Sequence, residues 1–228
     1  MRFKILTILV MGLLISACTS MAGELLDKGI KGGINLAKFT GDDAGDNVST
    51  RMGFSAGGYL TFDMGENFNL QPEIYFASKG SKHEDSDKGS GSSYSYEYTD
   101  ETTMTLNYIE VPVLGVFALS PELVLVAGPY VEFFLNGESK DKYDYSYEFY
   151  DSYNGVWESD SNSGTETTKI DSKDITSPNY GLVFGLEYNT GSMTIGGRYS
   201  MGLNSIWDDK DIDVKHSVIQ ILLGIPLN

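Results

Sequence analysis

Apolar and polar residues alternate along most of this chain. In 180–188 (YGLVFGLEY), Tyr180, Leu182, Phe184, Leu186 and Tyr188 share one face, and Gly181, Val183, Gly185 and Glu187 share the other. Residues 193–203 repeat the pattern, with Met193, Ile195, Tyr199, Met201 and Leu203 opposing Thr194, Gly196, Arg198, Ser200 and Gly202. Side chains of a strand alternate faces with a period of two, so each segment predicts a strand that is apolar on one side and small or charged on the other. A soluble sandwich turns its apolar side inward. Here the opposite side carries Glu and Arg among glycines, which suits a narrow packed lumen. An apolar outside around a polar inside is the pattern of a transmembrane β-barrel.

Eight such segments are predicted, at 28–38, 51–64, 68–79, 102–118, 122–139, 174–188, 192–203 and 214–225. Each reaches the length of about 9–11 residues that a tilted membrane strand needs. Connections alternate strictly between short (65–67, 119–121, 189–191) and long (39–50, 80–101, 140–173, 204–213). Outer-membrane barrels are built this way, with short periplasmic turns and long outer loops, and an even strand count returns both termini to the periplasm. The expected fold is therefore all-β: a closed, eight-stranded, antiparallel up-and-down transmembrane β-barrel.

The first 22 residues read as export machinery. Arg2 and Lys4 precede an apolar run, 5–15, that is too short to span a bilayer as a helix and right for a signal peptide. Two processing sites stay open. Ser20-Met21-Ala22 is a small-x-small cleavage site that leaves 23–228 as the barrel domain, whereas Ile15-Ser16-Ala17-Cys18 is a lipobox that would make Cys18 the lipidated first residue. Cys18 is the only cysteine, which excludes a disulfide framework. The formal charge is −16, from 32 acidic and 16 basic residues, and loss of Arg2 and Lys4 makes it more negative. That balance argues against nucleic acid as a partner and against polybasic docking on anionic lipid.

Most of the acid lies in the long loops, as do eight of the fifteen tyrosines: Tyr94, Tyr96, Tyr98, Tyr143, Tyr145, Tyr147, Tyr150 and Tyr153. The Tyr/Ser/Asp stretches 89–100 and 143–163 are low in complexity, so partial disorder is expected, with strand continuing at the base of the second.

Several segments resemble a known family. Gly32-Gly33-Ile34-Asn35-Leu36, Leu70-Gln71-Pro72-Glu73-Ile74-Tyr75, Leu106-Asn107-Tyr108-Ile109-Glu110-Val111-Pro112-Val113-Leu114, Ala127-Gly128-Pro129-Tyr130 and Gly197-Arg198-Tyr199-Ser200-Met201-Gly202-Leu203 are similar to the outer-membrane protein β-barrel domain family, loosely the porin family, related in shape to OmpA/OmpX-type barrels. The resemblance implies an outer-membrane location and no single activity. One departure is that the chain ends Ile225-Pro226-Leu227-Asn228, where such barrels commonly close on an aromatic residue.

Alternation points Glu73, Glu110, Glu132, Glu187 and Arg198 into the lumen, with Arg51 and Lys79 nearer the outer mouth. Buried charges must pair, and Arg198 is expected among Glu73 and Glu110 as part of a polar plug, with a gated ion path as the functional alternative. Asp209-Lys210-Asp211-Ile212-Asp213 begins like a calcium loop, but Val214 and Gln220 stand where its glycine and glutamate belong. No metal site and no cofactor are expected. His216 and Ser217 are adjacent on a strand and so face opposite ways, and no catalytic motif is present. The expected role is non-enzymatic: a monomeric barrel touching outer-membrane lipid and lipopolysaccharide, structural or engaged with an extracellular partner. Two alternatives remain, an adhesin acting through 80–101 and 140–173, and a lipidated, soluble, lipocalin-like ligand-binding barrel.

Overall fold

The computed structural model describes residues 23–227. The leader, both processing sites and Cys18 lie outside the described residues. Nine strands follow in order: β1 (Leu25–Thr40), β2 (Val48–Asp63), β3 (Phe68–Ser90), β4 (Tyr94–Ala118), β5 (Leu123–Asp151), β6 (Val156–Ile170), β7 (Asn179–Asn189), β8 (Thr194–Gly202) and β9 (Lys215–Pro226). Eight of them form a closed antiparallel ring, β1-β2-β3-β4-β5-β7-β8-β9, with β9 pairing back onto β1. The transmembrane barrel expected from alternation is thus the fold.

The faces are inverted relative to a soluble protein. On β9, Ile219, Ile221, Leu223 and Ile225 are 47–56% exposed, while Val218, Gln220 and Leu222 between them are buried. On β7, Tyr180, Leu182, Phe184, Leu186 and Tyr188 likewise face out, and Val183 and Glu187 face in. An apolar belt this continuous is stable only against lipid. It also removes the lipocalin-like alternative, whose apolar face would line the interior. Gly65, with φ 118°, and Gly191, with φ 90°, supply the left-handed backbone of two short turns. Both ends of the described chain lie at that same end, where Gly23 N–H donates to Asp63 O and Leu227 N–H to Lys28 O.

The long connections differ from the expectation of partial disorder. β3 and β4 stay paired in one register from Tyr75–Glu110 up to Ser90–Ser95, so segment 80–101 is a hairpin rather than a loose loop. The ninth strand, β6, was not expected. β5 is long enough to serve two neighbours, β7 along Leu123–Glu132 and β6 along Gly137–Asp151. Above the ring, β3, β4, β5 and β6 therefore form a four-stranded blade. Tyr and Thr favour strands, and cross-strand pairs of aromatic and hydroxyl side chains hold such a ladder without a buried core.

Three shorter segments fold over the same mouth. Phe39, Leu106, Tyr108, Ile175, Ile206 and Val214 form a buried apolar cluster. Ile175 pairs with Trp207, Thr176 N–H donates to Ile206 O, and Ile206 N–H to Val214 O.

Candidate functional site

The inward residues of β4, read from the short-turn end, run Val116, Leu114, Pro112, Glu110, Tyr108 and Leu106. The strand thus carries an apolar floor, a charge and an apolar ceiling. Eight strands leave an interior just wide enough for side chains, so any charge placed there has to find its partner within the wall.

The charges form two clusters. In the first, Arg198 forks onto Glu73, with Nη1 2.5 Å from Oε2 and Nη2 2.8 Å from Oε1. It also donates Nε to Glu187 Oε1 at 2.9 Å, and Nη2 to the same oxygen. Lys31 Nζ bridges the same carboxylates, 3.1 Å from Glu73 and 3.0 Å from Glu187, and sits 4.7 Å from the Tyr59 ring. Gln71 donates to Glu73 Oε1 at 2.7 Å and accepts from Thr61. Two cations thus balance two anions, and every side chain of the four is at most 4% exposed. Charge-assisted, forked bonds of this kind are the strong ones.

In the second cluster, Lys79 Nζ lies between Glu110, with which it pairs directly, and Glu132 Oε2 at 2.6 Å. The rings of Tyr130 and Tyr108 stand 4.9 Å and 6.0 Å from the ammonium. His216 Nε2 is 3.2 Å from the Tyr108 hydroxyl and 3.8 Å from Glu132. One cation here serves two anions.

The arrangement corrects the expected pairing. Arg198 sits with Glu73 and Glu187, whereas Glu110 belongs to Lys79. Lys79 lies six residues above Glu73 on β3, towards the outer mouth, yet is fully enclosed there, with its side chain 0% exposed. Arg51 is only half-buried, and it donates to Ser78 Oγ and Lys79 O. Lys31 was missed, and its signal lies in the register of the strands. Three of the charges stand directly opposite a glycine on the next strand: Lys31 opposite Gly224, Glu187 opposite Gly196 and Arg198 opposite Gly185. A Cβ on Gly185 would meet Arg198 Cγ at 2.8 Å, and one on Gly224 would meet Lys31 Cγ at 3.1 Å. The glycines are the floor over which long charged stems lie flat.

The other candidates fall apart or hold loops and turns. His216 is buried in the lumen, while Ser217 meets the Tyr199 hydroxyl at 3.0 Å. Asp43 accepts from Asp213 N–H at 2.7 Å and so ties the first long connection to the last, while Asp209 caps its own turn by accepting from Asp211 N–H at 3.0 Å. Among the described residues no group of three or more His, Cys, Asp or Glu could hold a metal ion.

The crystal structure of Ail, the attachment invasion locus protein of Yersinia pestis, is similar at 14% identity and TM-score 0.43, over 88% of this chain and 98% of that one. Neisserial surface protein A is similar at 11% identity and TM-score 0.40, over 89% and 98%. No curated protein sequence matches the chain. The outer membrane protein beta-barrel domain matches residues 22–208. With its apolar face outward, its charges paired inside and that match over most of its length, the chain belongs to the outer-membrane protein β-barrel domain family and resides in the outer membrane.

Proposed function

We propose that this protein is a non-enzymatic, non-conducting barrel, monomeric in the membrane, whose lumen is a structural plug and whose activity is surface interaction through the β3–β4 and β5–β6 hairpins. The observation that carries the reading is the completeness of the lumen packing. Seven inward charges are absorbed into two hydrogen-bonded clusters, and an apolar ceiling of Leu106, Tyr108, Ile175 and Ile206 lies above them. An ion following the lumen would have to break forked carboxylate bonds and part that ceiling. Catalysis has no support in the separated His216 and Ser217. Long hairpins at one end of the ring and short turns at the other support a blade outside the cell with both termini in the periplasm, and the exposed Ile, Leu and Phe belt suits contact with lipid.

The test is reconstitution of the full chain into planar bilayers beside heat-dependent gel mobility. The plug reading expects a compact unboiled band and no stepwise conductance. Reproducible single-channel steps from that compact species would replace it with a gated path through rearranging Glu–Arg pairs. Adhesion through 80–101 and 140–173 is the form of surface role that the ordered hairpins favour.

A further inference from the structure

The blade sorts its residues by face. Directly opposed residues of an antiparallel pair point the same way. The pairs Tyr94–Phe149, Tyr96–Tyr147, Tyr98–Tyr145 and Asp100–Tyr143 therefore gather six tyrosines and a phenylalanine on one face. Tyr94 stacks on Tyr96 at 6.5 Å and Tyr147 on Phe149 at 5.6 Å, so the rings form an ordered ladder. The rings nevertheless keep 36–46% of their tyrosine surface in solvent. The neighbours across the ladder are acidic. Register places Asp85 and Asp87 of β3 on this face, with Asp100 and Asp141 at the base and Glu158, Asp160 and Glu166 of β6 along the far side. Above the ring, all five lysines of the blade, Lys82, Lys88, Lys140, Lys142 and Lys169, fall on the opposite face, among Glu84, Glu97, Glu101, Glu138, Asp144 and Glu148. One face is mixed and nearly neutral, and the other combines aromatic rings with carboxylates and holds no lysine or arginine.

We infer that this aromatic-acidic face is a docking surface for an arginine-rich polypeptide segment. The inference deepens the surface-interaction reading and rests on it. Guanidinium is planar and weakly hydrated, stacks on tyrosine and forks onto carboxylates, so one side chain uses both features of the face. Tyrosine adds rigid, amphipathic contact area at low entropic cost. Charge excludes the rival occupants. A second copy would bring the same seven carboxylates against these, and polyanionic glycans or phosphate-bearing lipid would be repelled in the same way. The Tyr96 hydroxyl already donates to Asp87 at 3.1 Å and the Tyr98 hydroxyl to Asp100 at 2.9 Å, which holds rings and acids in one register.

The test uses the full chain in lipid nanodiscs and a fluorescent nona-arginine peptide, with nona-lysine and nona-glutamate as comparators, at physiological salt. The expected order is arginine tighter than lysine and no binding of glutamate. Tyr96→Ser/Tyr145→Ser/Tyr147→Ser keeps the charge and should weaken nona-arginine about tenfold, the lower end of what three exposed cation–π contacts contribute together. Asp87→Asn/Glu158→Gln/Asp160→Asn keeps the rings and should weaken both cationic peptides. Equal binding of arginine and lysine, with no effect of removing the rings, would reduce the face to bulk negative charge and overturn the inference. If the ring variant loses its compact unboiled band, the acid variant decides. Failure of that variant to weaken nona-arginine would equally overturn the inference. A separate arm labels Ser161→Cys on intact cells with a membrane-impermeant maleimide. Labelling without arginine preference sinks only this inference, and no labelling sinks the surface reading itself.

Discussion

Removing the cation from each lumen cluster should cost different amounts, in an order set by what stays behind. Among the described residues Lys79 is the one cation hydrogen-bonded to Glu110 and Glu132, whose side chains are each 1% exposed. Lys79→Met keeps most of the stem and strands both carboxylates. His216, 3.8 Å from Glu132, is beyond hydrogen-bond reach. Breaking a buried pair from one side costs about 3–5 kcal/mol, and two stranded anions put this variant at the upper end. Arg198→Met removes more hydrogen bonds yet leaves Lys31 at 3.1 Å and 3.0 Å from the same two carboxylates, with Gln71 still donating. About 3 kcal/mol is expected there. Lys31→Met leaves Arg198 forked across both anions and should cost about 1.5–3 kcal/mol, as for a lost charged hydrogen bond. The assay is urea unfolding of the barrel in short-chain lipid vesicles, followed by tryptophan fluorescence and by the mobility of unboiled samples. Lys79→Met/Glu110→Gln/Glu132→Gln should recover most of the loss, because it removes the unpaired charge together with its partners. An Arg198 variant weaker than the Lys79 variant, or a triple variant no better than Lys79→Met alone, would refute the two-cluster assignment.

Three further outcomes follow from the same geometry. Phe184→Arg places a charge on the lipid face and should destabilise by about 2–4 kcal/mol if it lies near the bilayer midplane; a neutral result in the same urea titration would mean that face meets water. Gly185→Ala sets a methyl against Arg198 Cγ and the Gly197 carbonyl, an overpacking worth about 1–3 kcal/mol, whereas Gly191→Asn at an open turn should cost far less in a thermal melt. Hydrogen bonds from the backbone of Tyr153 and from the Asn154 side chain hold the Asp151 carboxyl below its ordinary value of 3.8. A depressed carboxyl stabilises above that value and loses its contribution as the pH falls through the lowered one, so the β5–β6 tip should loosen only in strong acid, read by fluorescence of Trp157, which packs on Tyr150.

The ring was legible because a period of two is a local property. Ile219, Ile221, Leu223 and Ile225 declare an outward face whatever strand lies beside them, and short turns alternating with long ones declare the direction. Which carboxylate meets which cation is not local. It depends on the stagger accumulated around eight strands, so alternation alone turns Arg198 inward towards Glu73 but does not distinguish Glu187 from Glu110 as its second partner. Lys31 escaped because its place depends on register: it lies between Gly29 and Gly33 on the inner face of β1, and only its pairing with Gly224 reveals the space it fills. The blade escaped for a compositional reason. Tyr, Ser and Asp in low complexity resemble a disordered segment, and the strand β6 earns its place through a ladder with β5 rather than through burial. The apolar ceiling escaped because Ile175 comes from the connection before β7, and Ile206 and Val214 from the one before β9, neither of which shows a periodicity of its own.

A single residue links the two halves of the molecule. Asn107 pairs with Asn136 and Tyr108 with Phe134, so Leu135 has no partner and forms a bulge in β5. Below it the even residues Glu132 and Tyr130 face the lumen; above it the odd residues Tyr143, Tyr145 and Tyr147 lie on the same side. β4 has no extra residue there, so its inward face runs unbroken from Glu110 through Tyr108 to Tyr98, Tyr96 and Tyr94. The bulge therefore brings the tyrosines of β5 beside those of β4 and makes the aromatic-acidic face a continuation of the lumen wall. Deleting Leu135 shifts the alternation by one and turns every upper side chain of β5 to the other face. Lys140, Lys142, Asp144 and Glu148 would then stand beside Tyr96 and Tyr98. The ring pairs of β5 with β7 lie entirely below the bulge, from Leu123 to Glu132, so the compact unboiled band should persist while preference for the arginine peptide disappears. A deletion variant that keeps that preference would show that the face does not depend on this register, and one that fails to insert would show that blade and ring fold as one unit.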